Sequence, residues 1–399
     1  MSAHAFGVAA KRNRAHFMSK SKKPSLGETA PLVTPIYQSS VYTIPDLDAL
    51  DAIMNDGKPG FIYARDSHPN ARHLGSLLAK AEAAEWGVVT GSGMGAISAI
   101  VLATVQQGQR ILASNRLYGR TFQLFDKELD RFGVKTDYVD ANDLDAVEAA
   151  LHKKPRLLFV ETMSNPLVRV VDIAALAEVA HHHGALLVVD NTFATPVLTR
   201  PMELGADLVM ESLTKMIAGH SDVTLGLVCG NDADMLPAIN TASSIWGLAS
   251  NPFDCWLAER GLATLDLRMR AACKNAEHLA DWLAEQPGVS RVWYPSRDDH
   301  PDHELASRVL DDGFGHMLCF ELSGGRAAVN RFLHQAPGIP FSPSLGHSAT
   351  TMSHPATTSH RYVSPAEKKR QGISDGLVRL SVGVEAVGEI QKEMAKGLA

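Results

Sequence analysis

Three short apolar stretches of the sequence are each followed directly by polar residues of kinds used in catalysis. The stretches RLLFVE, ALLVVD and ADLVM are rich in leucine and valine, which is typical of buried β-strands. The polar residues at and just beyond their ends are Glu161 and Asn165, then Asp190 and Thr192, then Ser212, Thr214 and Lys215. Because ligands of an open parallel sheet bind beyond the carboxyl ends of its strands, we expect these side chains to share one site.

A glycine-rich turn upstream of these strands is suited to holding an anion. In VVTGSGMGAISA, the residues Ser92, Gly93 and Met94 come directly before a helical pattern. The first amides of a helix have no acceptor within the helix, and the helix dipole adds partial positive charge at the same end. A phosphate group is therefore expected at this turn.

An anion cradle, a carboxylate and a lysine at neighbouring strand ends narrow the choice of cofactor. A nicotinamide cofactor explains only the cradle. Pyridoxal 5'-phosphate explains all three, because its phosphate needs the cradle, its ring nitrogen stays protonated beside a carboxylate such as Asp190, and its aldehyde bonds to an amine such as Lys215. Singly, the glycines could form a tight turn, Asp190 could cap the next element and Lys215 could face solvent. Their joint occurrence favours the cofactor.

The elements that position these residues alternate along the chain. Helical patterns such as HLGSLLAKAEAAE, GAISAIVLATVQQG and DIAALAEVAHHHG lie between the strands RILAS, TDYVD, RLLFVE, ALLVVD and ADLVM, which predicts an α/β fold with a mostly parallel central sheet. One long helical stretch from near Phe253 through RMRAACKNAEHLADWLAEQPG leads to the strands HMLCFEL and LVRLSVG of a smaller C-terminal α/β domain. We predict an arm over 1–60, a cofactor-binding domain over 61–255 and a C-terminal domain over 256–399.

Composition excludes several classes of protein. The 399 residues are 45% hydrophobic and 21% charged with a net charge of -6, which is typical of a soluble enzyme and gives no reason to expect nucleic acid or membrane partners. The basic N-terminus lacks the apolar core of a secretion signal, which favours a mobile or subunit-clasping arm over a transit peptide. Four widely spaced cysteines suggest the reducing cytoplasm. No metal is expected, because His181, His182 and His183 are consecutive and His347, His354 and His360 lack zinc-ligand spacing.

Five motifs resemble one family over nearly the whole chain. They are SLTKMIAGHSDVTLG, VVDNTFATP, SGMGAISA, ETMSNP and WGLASNPFDCWLAERGLATLDLRM, within a resemblance that spans 34–385. The chain resembles the trans-sulfuration (Cys/Met metabolism) group of pyridoxal phosphate enzymes, which have the aspartate aminotransferase-like fold, or fold type I. The resemblance implies γ-elimination or γ-replacement on a sulfur amino acid or O-activated homoserine. A β-lyase, an O-acyl- or O-phosphohomoserine sulfhydrylase, and a non-catalytic or dinucleotide-binding protein remain as alternatives.

The resemblance also implies a role for each matching residue. Lys215 would bind the cofactor and move protons, and Tyr118 would stack on the ring and help protonate the leaving group. Arg379 would bind the substrate carboxylate, and Ser344 would help to orient the lysine. The remaining cofactor contacts would be Ser92, Gly93, Met94, Asn165, Asp190, Thr192, Ser212 and Thr214. Tyr63 and Arg65 would reach the phosphate of a neighbouring subunit, which makes a homodimer the minimum assembly and predicts a homotetramer.

Departures from the family pattern cluster near the substrate. In SLGHSATTMSHP, His347 takes the place of a glycine, and Ala349 that of a glutamate associated with cystathionine. Met216 replaces the tyrosine that usually follows the lysine. Arg120 occupies a position that is usually glycine or cysteine, where a guanidinium would bind either an anionic substrate tail or a nearby acidic residue. These positions leave the substrate open while the cofactor is well defined.

Overall fold

The computed structural model of the protein describes residues 29–55 and 57–398, which form two β-sheets surrounded by helices. The strands of the larger sheet are β1 Trp86–Thr90, β2 Arg110–Ser114, β3 Lys135–Val139, β4 Leu157–Glu161, β5 Leu186–Asp190, β6 Leu208–Glu211 and β7 Gly226–Gly230. Their order is β1-β7-β6-β5-β4-β2-β3. Strands β3, β2, β4, β5 and β6 run parallel, and β7 is antiparallel to both neighbours. The predicted α/β architecture with a mostly parallel central sheet is therefore confirmed.

Residues on the central strands alternate between two apolar clusters, which explains why both faces of the sheet are covered. Leu158 and Val160 belong to one cluster, and Leu157 and Phe159 belong to the other. All five residues of β4 are buried. Helices must cover both faces, as is usual for parallel sheets.

The helices lie between and after the strands. They are α1 Leu47–Met54, α2 Pro69–Ala81, α3 Gly93–Thr104, α4 Gly119–Gln123, α5 Leu144–Leu151, α6 Ile173–His182, α7 Thr195–Leu198, α8 Met235–Ile245, α9 Pro252–Leu262, α10 Leu265–Ala284, α11 His303–Val309, α12 Gly325–Gln335, α13 Pro365–Arg370 and α14 Val387–Leu398. A π-helical turn at Leu124–Glu128 continues α4. The prediction of a single helical stretch from near Phe253 is wrong in one respect, because this stretch divides into α9 and α10 at Ala263 and Thr264.

The smaller sheet is antiparallel and lies in the C-terminal part of the chain. Its strands are β8 Val289–Trp293, β9 Met317–Leu322, β10 Thr351–Ser353 and β11 Leu377–Ser381, in the order β10-β11-β9-β8. Apolar residues of α10, α12 and α14 join those of this sheet in a separate core. The domain boundaries at 60 and 255 stay a prediction.

The predicted arm over 1–60 lies partly outside the described residues, which begin at 29. Its contact with a neighbouring subunit therefore stays a prediction. Within the part of the chain that the structure describes, every helix is too short or too polar to cross a bilayer.

Candidate active site

A cleft opens beyond the carboxyl ends of β4, β5 and β6, where open parallel sheets bind ligands. It offers about 940 Å³ of space, counting its open mouth. Twelve predicted site residues line it: Ser92, Gly93, Met94, Tyr118, Asn165, Asp190, Thr192, Ser212, Thr214, Lys215, Ser344 and Arg379. The fold thus gathers residues from distant parts of the sequence around one space.

The N-terminus of α3 forms one wall of the cleft. The hydroxyl of Ser92 caps this helix by accepting a hydrogen bond from the amide of Gly95 at 2.9 Å. The preceding amides, of Gly93 and Met94, have no acceptor within the helix. A Cβ at Gly93 would lie 2.8 Å from Cβ of Ser212, so glycine is needed for this close approach. The resulting concave surface of amides and hydroxyls is suited to a phosphate.

Two carboxyl groups, of the buried Glu161 and the half-buried Asp190, lie side by side at the end of the sheet. Asp190 at the end of β5 is the register partner of Glu161 at the end of β4. One oxygen of Asp190 accepts the amide of Thr192 at 3.0 Å. Burial raises the pKa of Asp190 to about 6. Burial, and then the charge of Asp190, raises the pKa of Glu161 well above its ordinary value. A protonated ring nitrogen beside Asp190 would supply the positive charge that this pair lacks.

Lys215 is linked by hydrogen bonds to other residues that line the cleft. Its amine donates to the hydroxyl of Ser344 at 3.2 Å. The carbonyl of Ser344 accepts from Nη2 of Arg379 at 3.1 Å, and Nη1 of Arg379 donates to Oδ1 of Asn165 at 2.8 Å. Burial, and secondarily the charge of Arg379, lowers the pKa of Lys215. More of the amine is therefore neutral near pH 7, which suits both covalent attachment and proton transfer.

One guanidinium nitrogen of Arg379 is left without a hydrogen-bond partner in the described part of the chain. Its Nε is buried and has no hydrogen-bond partner among the residues that the structure describes. An unsatisfied buried donor is costly, and a guanidinium binds a carboxylate through two parallel hydrogen bonds. The arrangement therefore suits the carboxylate of an amino-acid substrate.

Glu161 holds together two segments of the cleft wall. One of its oxygens accepts the amide of Tyr118 at 2.5 Å, and the other accepts the amide of Asn165 at 3.2 Å. Tyr118 is itself about 39% exposed at the start of α4, with its side chain at the cleft. The sequence places Glu161 at a strand end without indicating this role, because its partners are backbone amides.

Further lining residues are mostly apolar or small. They are Ile97, Met163, Phe193, Met210, Thr224, Pro343, Leu345 and Ser359. Ile97, Met163, Phe193 and Thr224 belong to the motifs SGMGAISA, ETMSNP, VVDNTFATP and SLTKMIAGHSDVTLG, and this proximity to predicted site residues is the signal that could have found them. The other four residues come from segments that the tertiary fold brings to the cleft.

Three predicted residues do not line this cleft. Tyr63 is about 41% exposed, and the guanidinium of Arg65 lies 5.1 Å from the centre of its ring. Arg65 lines a second hollow instead, together with Asp66. Arg120 donates to Gln123 at 2.6 Å, and its guanidinium lies 5.0 Å from the ring centre of Tyr362. The roles predicted for these three residues stay predictions.

The residues present fit pyridoxal phosphate. The cradle at Gly93 suits its phosphate, and the carboxyl group of Asp190 suits its ring nitrogen. The amine of Lys215 suits its aldehyde, and the unpaired Nε of Arg379 suits the carboxylate of a bound amino acid. The fold and the cleft define a pyridoxal phosphate-dependent enzyme of fold type I.

Comparisons with known proteins identify the family. The family model of the Cys/Met metabolism PLP-dependent (pyridoxal phosphate-dependent) enzymes matches residues 16–399 of the sequence, and the chain belongs to this family. It is 44% identical to an O-succinylhomoserine sulfhydrylase of Pseudomonas aeruginosa over 86% of this chain and 84% of that protein. It is 39% identical to an L-methionine gamma-lyase of Pseudomonas putida over 92% of each. A solved cystathionine gamma synthase from Xanthomonas oryzae pv. oryzae superposes with a TM-score of 0.87 at 36% identity, over 92% of each chain.

Proposed function

We propose that this enzyme catalyses γ-replacement on an O-activated homoserine, with sulfide or a thiol as the incoming group. The observation that carries the proposal is the hydrogen-bond chain from Lys215 through Ser344 and Arg379 to Asn165. It links a base of lowered pKa to a guanidinium that suits an amino-acid carboxylate, within one cleft. Asp190 and Lys215 would hold the cofactor in this cleft.

The roles of the residues follow from these positions. Arg379 binds the substrate α-carboxylate, and Tyr118 would stack on the cofactor and help to protonate the leaving group. The bound cofactor supplies an electron-withdrawing ring that stabilises negative charge on the substrate. Lys215 accepts the proton from Cα and moves protons between Cα and Cβ. The Cγ–O bond breaks with loss of the acid, and a Cγ–S bond then forms as the protons return to carbon.

The rim of the cleft favours a substrate with an anionic tail. A Cβ on Gly119 would lie 2.1 Å from the carbonyl oxygen of Ser359, so these two segments meet at the rim. Arg120 follows Gly119 directly, Arg361 comes two residues after Ser359, and both arginines are exposed. Ala349 stands where cystathionine enzymes have a glutamate, so the chain lacks that partner for a distal ammonium. Together with the named sulfhydrylase relative, these features favour O-succinylhomoserine over neutral or cationic alternatives.

A substrate panel tests the proposal. The holoenzyme is given sulfide with O-succinyl-, O-acetyl- or O-phosphohomoserine, and separately methionine, cystathionine or cysteine without sulfide. We expect homocysteine to form fastest from O-succinylhomoserine. Pyruvate as the main product, from cystathionine or cysteine, would establish a β-lyase instead. No turnover of any homoserine ester would contradict the proposal.

γ-Elimination of methionine is the second candidate. The relatives named L-methionine gamma-lyase match 92% or more of the chain at 36–39% identity. The same Lys215 and Arg379 serve both reactions, because elimination omits only the incoming sulfur. 2-Oxobutyrate from methionine at a rate above that of homocysteine formation would favour this candidate.

We further propose a cytoplasmic homotetramer built from dimers with shared sites. Tyr63 and Arg65 are exposed and lie away from their own cleft, which suits contacts with the phosphate of a neighbour. The four cysteines are buried and free, as is usual in a reducing compartment. Light scattering of the purified protein tests the tetramer, and a monomer with full activity would contradict it.

A further inference from the structure

One buried arginine outside the cleft binds the backbone directly after the lysine. Arg268 on α10 is about 8% exposed. Its Nη1 donates to the carbonyl of Met216 at 2.5 Å, and its Nη2 donates to the carbonyl of Ile217 at 2.9 Å. Nη2 also donates to the carbonyl of Gly261 at 2.7 Å, and Nε donates to the hydroxyl of Thr264 at 3.1 Å. Every nitrogen of the guanidinium is therefore used.

This guanidinium has no carboxylate within ion-pair distance among the described residues. A buried cation without a counter-ion is costly unless strong acceptors replace its water. Here three carbonyl oxygens and a hydroxyl do so, and one carbonyl, that of Gly261, belongs to the last turn of α9, where the helix dipole is negative. Burial lowers the pKa of Arg268 to about 10, so the group stays charged at neutral pH.

Glycines let the surrounding segments approach this arginine closely. A Cβ at Gly261 would lie 2.3 Å from the carbonyl oxygen of Ala218, and one at Gly219 would lie 2.1 Å from Nη1 of Arg268. On the other side, a Cβ at Gly346 would lie 2.4 Å from the amide nitrogen of Met216. The backbone of 215–219 is thus clamped between α9 and α10 on one side and the loop before β10 on the other.

The side chain of Lys215 is held much more loosely than its backbone. Among the described residues, its amine makes one hydrogen bond, to Ser344 at 3.2 Å. In the proposed reaction this amine must release the cofactor and then serve two substrate carbons in turn. The side chain must therefore move while its Cα stays fixed, because an error of about 1 Å in the position of a reacting group costs roughly 100-fold in rate.

We propose that Arg268, supported by Gly261 and Thr264, is the positioning residue that fixes the backbone of Lys215 for proton transfer. This inference rests on the proposed function and assigns a task to the motif ERGLATLDLRM, whose residues lie outside the cleft. It also accounts for Met216, whose carbonyl and sulfur both contact the guanidinium, the sulfur at 3.5 Å. The charge alone is not sufficient for this task, because the planar fork of arginine reaches several carbonyls that a lysine amine cannot reach together.

Arg268→Lys in the holoenzyme is the test, and Arg270→Lys is its matched control. Arg270 lies on the same helix but is partly exposed and pairs with Asp266 and Asp312 at the surface. For Arg268→Lys we expect kcat to fall about 100-fold with KM for the amino acid nearly unchanged. The rising limb of kcat against pH should move to higher pH, because a displaced Lys215 is better hydrated and its pKa rises. Amides of 215–219 should exchange hydrogen faster. Arg270→Lys should match the wild type in all respects.

Two outcomes would overturn the assignment. One is a folded Arg268→Lys enzyme with wild-type kcat, pH profile and amide exchange. If Arg268→Lys fails to fold, Thr264→Val is used instead, because it removes only the hydroxyl that accepts from Nε of Arg268. Unchanged kcat and unchanged amide exchange in Thr264→Val would then contradict the proposal. Amide exchange does not depend on the substrate. A wild-type enzyme inactive on the whole panel would therefore refute the proposed function while the exchange result still decides the role of Arg268.

Discussion

At the scale of single residues, the environment of Lys215 decides what the site can do. Burial and Arg379 lower its pKa, and Ser344 is its hydrogen-bond partner in the cleft. Lys215→Ala removes both the covalent attachment point and the base. We expect turnover to fall by more than about 1,000-fold, because a positioned acid–base group alone contributes about 100- to 10,000-fold. The loss of covalently bound cofactor is checked by reduction and peptide mapping. A variant retaining a tenth of wild-type turnover would contradict the assignment.

Arg120 offers a sharper test of substrate choice. If the guanidinium leaves Gln123 and Tyr362 to meet an anionic tail, Arg120→Gln should raise KM for O-succinylhomoserine and leave KM for O-acetylhomoserine unchanged. The rise should be roughly threefold to fivefold, because an exposed ion pair contributes about 1 kcal/mol at most. Arg131→Gln is the matched control, since Arg131 is also exposed and pairs with Glu128. Equal KM changes for both esters would remove Arg120 from substrate recognition.

At the scale of elements, two buried glutamates join the end of α2 to the end of β6. Glu82 follows α2, Glu211 ends β6, and their carboxyl groups lie within hydrogen-bonding reach of each other. Asn191 donates to Glu82 at 2.9 Å. Burial is the first cause that raises the pKa of both groups. Two carboxylates are acceptors only, so a shared proton is needed to join them.

This pair makes stability depend on pH with a definite sign. Because the folded-state pKa is raised, the folded protein holds a proton that the unfolded chain releases above its ordinary carboxyl pKa near 4.5. Stability is therefore complete at low pH and falls as pH rises toward the folded pKa, by up to about 1.4 kcal/mol per pH unit for one proton. Glu211→Gln supplies an amide donor instead of the proton.

We accordingly expect the thermal midpoint of the Glu211→Gln holoenzyme to fall less steeply than that of the wild type as the pH rises above the ordinary carboxyl pKa. Glu128→Gln, at an exposed ion pair, should follow the wild-type curve. Parallel curves for the wild type and Glu211→Gln would show that the pair holds no shared proton.

How much the sequence revealed also differs between elements. The strand RILAS coincides with β2, and ALLVVD differs from β5 by one residue, because buried parallel strands are continuous apolar runs. The break between α9 and α10 has no proline, so the helical pattern continues through it. The bridging of Tyr118 and Asn165 by Glu161 depends on backbone amides, which no residue pattern encodes. Side-chain direction at Arg120 was equally unreadable, because the choice between Gln123, Tyr362 and a substrate tail depends on packing.

At the scale of the whole molecule, the exposed positions of Tyr63 and Arg65 predict that one chain does not complete its own site. If Arg65 serves a neighbour, then Lys215→Ala and Arg65→Ala damage different sites of a dimer. A hybrid of the two variants contains one site with both residues intact and one with neither.

Co-refolding equal amounts of the two inactive variants should therefore restore activity. Random pairing makes half of the dimers hybrids, each with one intact site, so recovery should approach roughly a quarter of the wild-type value in a twofold-symmetric assembly. The matched control mixes Lys215→Ala with Arg379→Ala, because both residues lie in the same cleft. This mixture would recover activity only if the two residues of one cleft came from different chains. Because Lys215 and Arg379 are joined through Ser344 within one chain, each hybrid of the control contains two damaged sites, and no recovery is expected. Recovery in the control, or none with Arg65→Ala, would contradict the shared site.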